Sequence, residues 1–426
     1  MPDTAPDPGD LLARASSRLG AFVADLRTLV AVDSGSRHVP GIRQVAEWAT
    51  ARLQRAGFDV EQRPVEDADG VPLGPVVVAR RPAAGRRVLL FAHMDTVFAP
   101  GTAAARPLRL VGHRALGPGV CDDKGGLLAG LYACEVLVEA GLADDVDLTV
   151  VLTPDEEIGA PGSAAVLAEL ARVSDAALCL EGARESGDLV SSRKGVADLH
   201  FRVRGRAAHS GIEPGRGASA AVEAAHLTLA ATALDGSAPG LTVNVGVVEA
   251  GSRPNVVAEE ARVVAEVRAT TSAALDAAVE QLRRHAARPV TPGVGVELEV
   301  RDRTEPMEPT PSSEALARLA LEVAAGLGLD VGAVSTGGVS DANTVAAAGC
   351  PTLDGLGPVG GDDHSDSEWL DLSSVPSRVA LLACLVARLG RGALDAEGAA
   401  DAERAADAER AADAEAASVT GSSVLA

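Results

Sequence analysis

The sequence predicts an α/β protein, a large domain of alternating strands and helices with a smaller βαββαβ unit inserted into it. Three observations predict this. Apolar strand-like runs alternate with helical ones up to residue 181, the texture changes past Val190 to half-exposed alternation, and the first pattern resumes from about residue 303. Buried strands read as continuous apolar runs, whereas strands with one wet face alternate.

Taken in order, an amphipathic helix opens the chain, with Leu12, Ala15, Leu19, Phe22, Leu26 and Leu29 spaced three or four apart, and a second carries Ile42, Val45, Ala49 and Leu53. The strands "PVVVARR" and "VLLFAHMD" follow, then the helix "GGLLAGLYACEVLVEAG", the strand "DLTVVLTP", the helix "SAAVLAELAR" and the strand "AALCLEG". Such alternation predicts a sheet that presents its functional groups at the carboxyl ends of its strands. The inserted unit reads as "GVADLHFRVRGRA", the helix "ASAAVEAAHLTLAATAL", "LTVNVGVVEAG", "ARVVAEVRAT", the helix "SAALDAAVEQLRRHAA" and "GVELEVRD". The helix "SSEALARLALEVAAGLGL", the stretch "GCPTLDGLGP" and the helix "SSVPSRVALLACLVARLG" return to the first pattern. The expected division is therefore residues 1–190 and 303–392 for the large domain, 191–302 for the insert and 393–426 for a tail.

Length agrees, since 426 residues suggest two or three domains. A net charge of -22 and a pI near 4.8 argue against nucleic-acid or anionic-membrane partners, which need a basic face. Part of that charge lies in the tail, where DAERAA repeats with a period of six; its eight acids and two arginines contribute -6, leaving -16 elsewhere. A period of six makes no helical stripe and alanine buries little, so the tail is expected to be disordered or a fraying helix. Five scattered cysteines without a CxxC pair fit reduced thiols. The N-terminus lacks a basic start and an apolar core, so a soluble cytoplasmic protein is expected.

Chemistry enters at "LTVVLTPDEEIGAPGS". A core strand ends there in Asp155, Glu156 and Glu157, and adjacent carboxylates at a strand mouth repel one another and lose hydration. A cation would make that tolerable. Other ligands are then expected at strand ends of the same domain, and they are found: His93 and Asp95 after "VLLFA", Asp122 and Asp123 in "GPGVCDDKGG", Glu181 after "AALCL" and His364 in "GGDDHSD". Two histidines with carboxylates suit Zn²⁺, whereas an all-oxygen set would suit Mg²⁺ or Ca²⁺. Taken singly, each has a plainer reading. His93 could be a hydrogen-bonded core histidine, Asp122 and Asp123 could charge a helix start, and DEE could be a solvated turn. Their recurrence at successive strand ends favours the metal.

The motifs "LLFAHMDTV", "GPGVCDDKGG", "TPDEEIGAPGS", a Glu ending the next strand, and "GGVSDAN" with "GCPTLDGLGPVGGDDHSD" closely resemble the dizinc metallopeptidase family of glutamate carboxypeptidases, acetylornithine and succinyl-diaminopimelate deacylases and aminoacylases. The resemblance runs in motif order from about residue 10 to 391. It implies a zinc-peptidase catalytic domain with a ferredoxin-like lid that also serves dimerisation. It implies two Zn²⁺ per subunit, replaceable by Co²⁺ or Mn²⁺, with Asp122 bridging, His93 and Glu181 on one ion, and Glu157 and His364 on the other. By the same resemblance Glu156 is the general base, and Asp95 orients His93. His209 in "RGRAAHSG" is the lid histidine that steadies an oxyanion, while Asn255 and Arg268 contact substrate. The family often has a cis peptide after the bridging Asp. Asp362 and Asp363, where relatives have small residues, depart from the pattern; they could raise metal affinity, bond His364 or face solvent. His38, His113, His200, His226 and His285 match no motif.

The implied activity is hydrolysis of an amide next to a free carboxylate, with a C-terminal amino acid such as glutamate released from a small peptide or N-acyl amino acid. An N-acyl-amino-acid deacylase or dipeptidase is the alternative, and an inactive relative acting as a scaffold is the alternative from another class. A homodimer is expected through the lid, whose four-stranded sheet leaves an edge free.

Overall fold

The computed structural model describes residues 6–395, so the acidic repeat lies, from residue 396 on, outside the described residues. Its central sheet has six strands in the order Asp59–Glu66, Pro72–Arg81, Asp147–Thr153, Arg87–His93, Ala176–Cys179 and Thr352–Leu353. The last four run parallel, and the first two form an antiparallel hairpin joined antiparallel to Asp147–Thr153. The strand Asp59–Glu66 escapes the sequence pattern because it is a polar edge strand with only Val65 buried.

Both faces of this sheet are covered, which explains the unbroken apolar runs. Val88, Leu90 and Ala92 pack with the helices Lys124–Glu139, Pro311–Gly326 and Val375–Gly390, while Leu89 and Phe91 pack with Ala164–Ala171 and Asp341–Ala347. Alternate residues of one strand thus enter two cores. Full burial of a side chain such as Phe91 contributes about 1.5–3 kcal/mol.

The opening helix of the sequence reading is in fact two, Pro8–Ser17 and Leu19–Val30, with the break at Arg18. The hydroxyls of Ser16 and Ser17 donate back to the carbonyls of Leu12 and Arg14, which loosens the helical ladder there. The guanidinium of Arg18 then turns toward Glu135, 3.1 Å away, on the neighbouring helix.

Residues 195–304 form a separate four-stranded antiparallel sheet in the order Thr242–Ala250, Glu260–Ala269, Gly195–Arg204, Gly295–Thr304. The helices Ala220–Thr232 and Ser272–Ala287 cover one face, burying Leu227 and Leu282 against Phe201 and Val263 in a core of their own. The chain crosses into this unit at Lys194 and leaves it after Thr304. Both crossings are held by one side chain, because the buried Asn343 amide donates to the carbonyls of Lys194 (3.1 Å) and Glu305 (2.8 Å).

All five cysteines are free and buried. No helix among the described residues is long and apolar enough to cross a membrane.

Candidate metal centre

Strand register assembles the site. His93 pairs with Thr153 and Phe91 with Cys179 across the parallel strands, so the residues just beyond those positions meet at one rim. Asp95, the turn at residues 155–157 and Glu181 all lie there. Asp122 arrives on the loop before the helix Lys124–Glu139, and the Asp122–Asp123 peptide is cis. His364 arrives on the connection between Gly361 and Trp369, in a small sheet that also contains Arg114–Leu116. Asp362 and His364 both adopt positive φ, 57° and 62°, which aims this turn.

The two imidazoles flank one carboxylate. His93 Nε2 lies 2.8 Å from Asp122 Oδ1 and 3.6 Å from Glu181 Oε1, while His364 Nε2 lies 3.0 Å from both Asp122 Oδ2 and Glu157 Oε2. Donor atoms of His93, Asp122 and Glu157 lie within 4.8 Å of one another, as do those of His93, Glu156 and Glu181. The five residues expected as ligands are therefore together, with Glu156 beside them.

Asp95 organises this group from behind. It is fully buried, and its carboxylate accepts Ser36 Oγ (2.6 Å) and the backbone N–H groups of Glu156 (3.2 Å) and Glu157 (3.1 Å), and lies 3.2 Å from His93 Nδ1. With Nδ1–H facing Asp95, Nε2 is the nitrogen left for a cation; without one, Nε2–H donates to Asp122 and, against the burial that opposes its charge, the two carboxylates hold the imidazole protonated well above its ordinary range. Asp155 is buried too and not solvated, accepting the N–H groups of Gly162 (2.6 Å) and Ser163 (3.2 Å).

The electrostatics describe a site that needs positive charge. Burial raises Glu157, and burial with the nearby Glu181 carries Glu156 far above the ordinary carboxylate range. Burial and Asp122 push Glu181 up to about 8. Burial alone would raise Asp122, yet hydrogen bonds from His364 and His93 hold it well below the usual range. His364 is raised to about 10 by Asp122 and Glu157. Glu157 Oε1, both carboxylate oxygens of Asp123 and Asp155 Oδ1 are buried without a hydrogen-bond partner. A nitrogen and oxygen donor set with orphaned carboxylate oxygens fits a pair of divalent cations.

Several supporting residues were not singled out from the sequence. Glu368 accepts the N–H groups of Gly119, Cys121 and Asp122 at 2.8–3.1 Å, which fixes the Asp122 loop, and burial raises it to about 7. Asp341 accepts Thr153 Oγ1 at 2.7 Å beneath the cluster and is raised to about 7 by burial. Arg193 and Asp354 form a buried ion pair of 2.6 Å that Ser340 Oγ also joins at 2.9 Å. Asp341 and Asp354 lie inside the stretches "GGVSDAN" and "GCPTLDGLGPVGGDDHSD", which was the available signal for them. Glu368 and Ser36 carry no such signal.

The remaining sequence candidates lie on the smaller unit. His209 and Asn255 are exposed and adjacent, with Ser210 N–H donating to the Asn255 carbonyl and Gly211 N–H to His209 Nδ1. Arg268 binds Glu266 at 2.7 and 3.0 Å and the Gly337 carbonyl at 2.7 Å, joining the smaller sheet to the "GGVSDAN" segment. Asp363 is exposed on the same turn, and partial desolvation with the nearby Asp122 raises its carboxyl. Asp362 is exposed, its carbonyl accepting from Ser365.

Comparison with known proteins shows the family. Residues 89–388 match the model of peptidase family M20/M25/M40. Carboxypeptidase G2 of Pseudomonas sp. (strain RS-16) is 31% identical over 386 residues, covering 90% of this chain and 92% of the relative. Acetylornithine deacetylase of Myxococcus xanthus is 34% identical over 269 residues, covering 59% and 68%. A solved structure of a Bacillus subtilis protein described as a dinuclear metal-binding peptidase superposes with a TM-score of 0.64 at 15% identity, covering 88% of this chain and 99% of that one. This chain belongs to peptidase family M20/M25/M40 and is a metallopeptidase-type hydrolase.

Proposed function

We propose that the protein is a zinc-dependent carboxypeptidase that releases a C-terminal amino acid, such as glutamate, from a small peptide or N-acyl amino acid. The observation that carries this reading is the placement of Asp122 between two imidazoles, with Glu181 beside one and Glu157 beside the other. Asp122 would bridge two Zn²⁺, His93 and Glu181 would complete one set of donors, and Glu157 and His364 the other. When bound, the pair supplies Lewis acidity that lowers the pKa of water and polarises a carbonyl.

The protein's own groups do the rest. Because those five residues already give each cation three protein donors, Glu156 is left over as the base. It takes a proton from the attacking water and delivers it to the departing amine. Asp95 holds both the His93 tautomer and the backbone of Glu156, so it positions base and ligand together. Arg268 uses three of its five N–H donors on Glu266 and Gly337, and we assign the remaining two to the substrate carboxylate. His209 and Asn255 are assigned to the lid side of the substrate.

Residues 195–304, expected from the sequence as 191–302, are read as a ferredoxin-like lid, and its exposed Val222 and Leu229 with the edge strand Thr242–Ala250 as the surface for a homodimer. Five free thiols support a cytoplasmic setting. Likeness to acetylornithine deacetylase favours N-acyl-amino-acid deacylation as the second reading. A panel of peptidyl and N-acyl amino acids, incubated with zinc-replete protein, tests the proposal. Release of the carboxyl-terminal amino acid is expected, and release from the amino terminus only, or none, rejects it.

A further inference from the structure

A cavity of about 420 Å³ opens beside the metal-side carboxylates, walled by residues 35–38, by 96–100 and by Glu157 and Ile158. Its wall is largely apolar. Val97 and Ile158 stand 44% and 39% exposed, and Phe98 and Pro100 extend the same surface. A concave apolar wall of this size next to reactive groups is the usual form of a small-molecule subsite.

The lining narrows the occupant. Among the described residues the cationic groups in this wall are Arg37, engaged by Asp67 at 2.8 Å, and His38, whose Nδ1 lies 2.7 Å from the Asp33 carbonyl. Arg37 keeps donors beyond the one given to Asp67, so it is the apolar lining of Val97, Phe98, Pro100 and Ile158 that favours an uncharged group. An uncharged apolar group would find contact on several sides.

The cavity is also built rigidly and tied to the catalytic turn. Gly35 and Thr96 form a bridge, Thr96 N–H donates to the Ser34 carbonyl at 3.0 Å, and Asp33 accepts the N–H groups of Gly101 (2.7 Å) and Ala103 (2.8 Å). A Cβ at Gly35 would lie 2.6 Å from the Phe98 carbonyl oxygen, so the close approach of the two walls requires glycine. Ser36 hydrogen-bonds Asp95, which in turn holds the backbone of Glu156 and Glu157. A group lodged in the cavity is therefore placed against the side chains that act on the amide.

We propose that this cavity is the acyl-side subsite. It takes an uncharged aliphatic or aromatic group on the acyl half of the substrate, while the carboxylate of the leaving amino acid lies elsewhere. The inference rests on the amidohydrolase reading above. It predicts that, for a shared C-terminal amino acid, the zinc-replete enzyme cleaves an N-benzoyl substrate with at least about tenfold higher kcat/KM than its N-acetyl counterpart, the discrimination expected of a pocket that fills with apolar atoms. Val97→Lys should cut the benzoyl-to-acetyl ratio by about tenfold or more. In an independent arm, Glu156→Gln protein should bind the benzoyl compound more tightly than the acetyl compound by calorimetry, without turnover. Hydrolysis of both compounds at nearly equal kcat/KM, with a ratio that Val97→Lys leaves within about twofold and equal binding to Glu156→Gln, would overturn the subsite while leaving the amidohydrolase reading in place. Wild-type protein that hydrolyses neither would instead overturn that reading and the subsite with it.

Discussion

Asp95 Oδ2 accepts the backbone N–H of Glu157 at 3.1 Å, across 62 positions of sequence. The same carboxylate binds Ser36 and the N–H of Glu156 and faces His93, so one buried acid aligns two expected ligands and the expected base. Asp95→Ala should weaken metal binding by about 10–100-fold, the usual cost of losing a group that orients a ligand, and should lower kcat as well. Competition with a chelating dye measures the first, and an unchanged affinity would contradict this role for Asp95.

Glu156→Gln should keep the fold and the metals yet lose about 10²–10⁴ of turnover, the range that general acid–base catalysis contributes. Steady-state kinetics on the metal-loaded variant measures it. Activity near that of the wild type would remove Glu156 from the proton transfer.

Metal loading should release protons. Ligation requires a neutral imidazole and ionised carboxylates. Without metal, His364 is raised to about 10 and Glu181 to about 8, so both hold protons at pH 7. Apparent affinity should therefore climb as pH rises through 8 and level off beyond about 10. Calorimetric titration with Zn²⁺ in two buffers of different ionisation enthalpy reads the release, and identical heats in both would contradict it.

Arg193→Met should destabilise the protein by about 3–5 kcal/mol, because it strands Asp354 as an uncompensated buried charge. Urea unfolding gives the number. A midpoint equal to that of the wild type would mean that solvent reaches the pair.

The strands, and the histidines and acids that meet at their rim, were legible because burial and charge conflict visibly in the sequence. Apolar runs such as "VLLFA" that stop at His93 and Asp95 can be recognised from residue type alone. The break at Arg18 was not legible, since it depends on Ser16 and Ser17 turning back on the helix and on Glu135 from a distant element. The polar edge strand Asp59–Glu66 was hidden for a related reason, as its pairing with Pro72–Arg81 replaces any apolar pattern. Glu368 and Ser36 act only through partners 246–249 and 59 positions away, a relationship that no local spacing encodes.

Elemental analysis of purified wild-type protein beside a natively folded Asp122→Ala variant tests the shared-carboxylate centre most directly. Two equivalents of zinc in the wild type and loss of both in Asp122→Ala are the predicted result. Two equivalents retained by Asp122→Ala would contradict it.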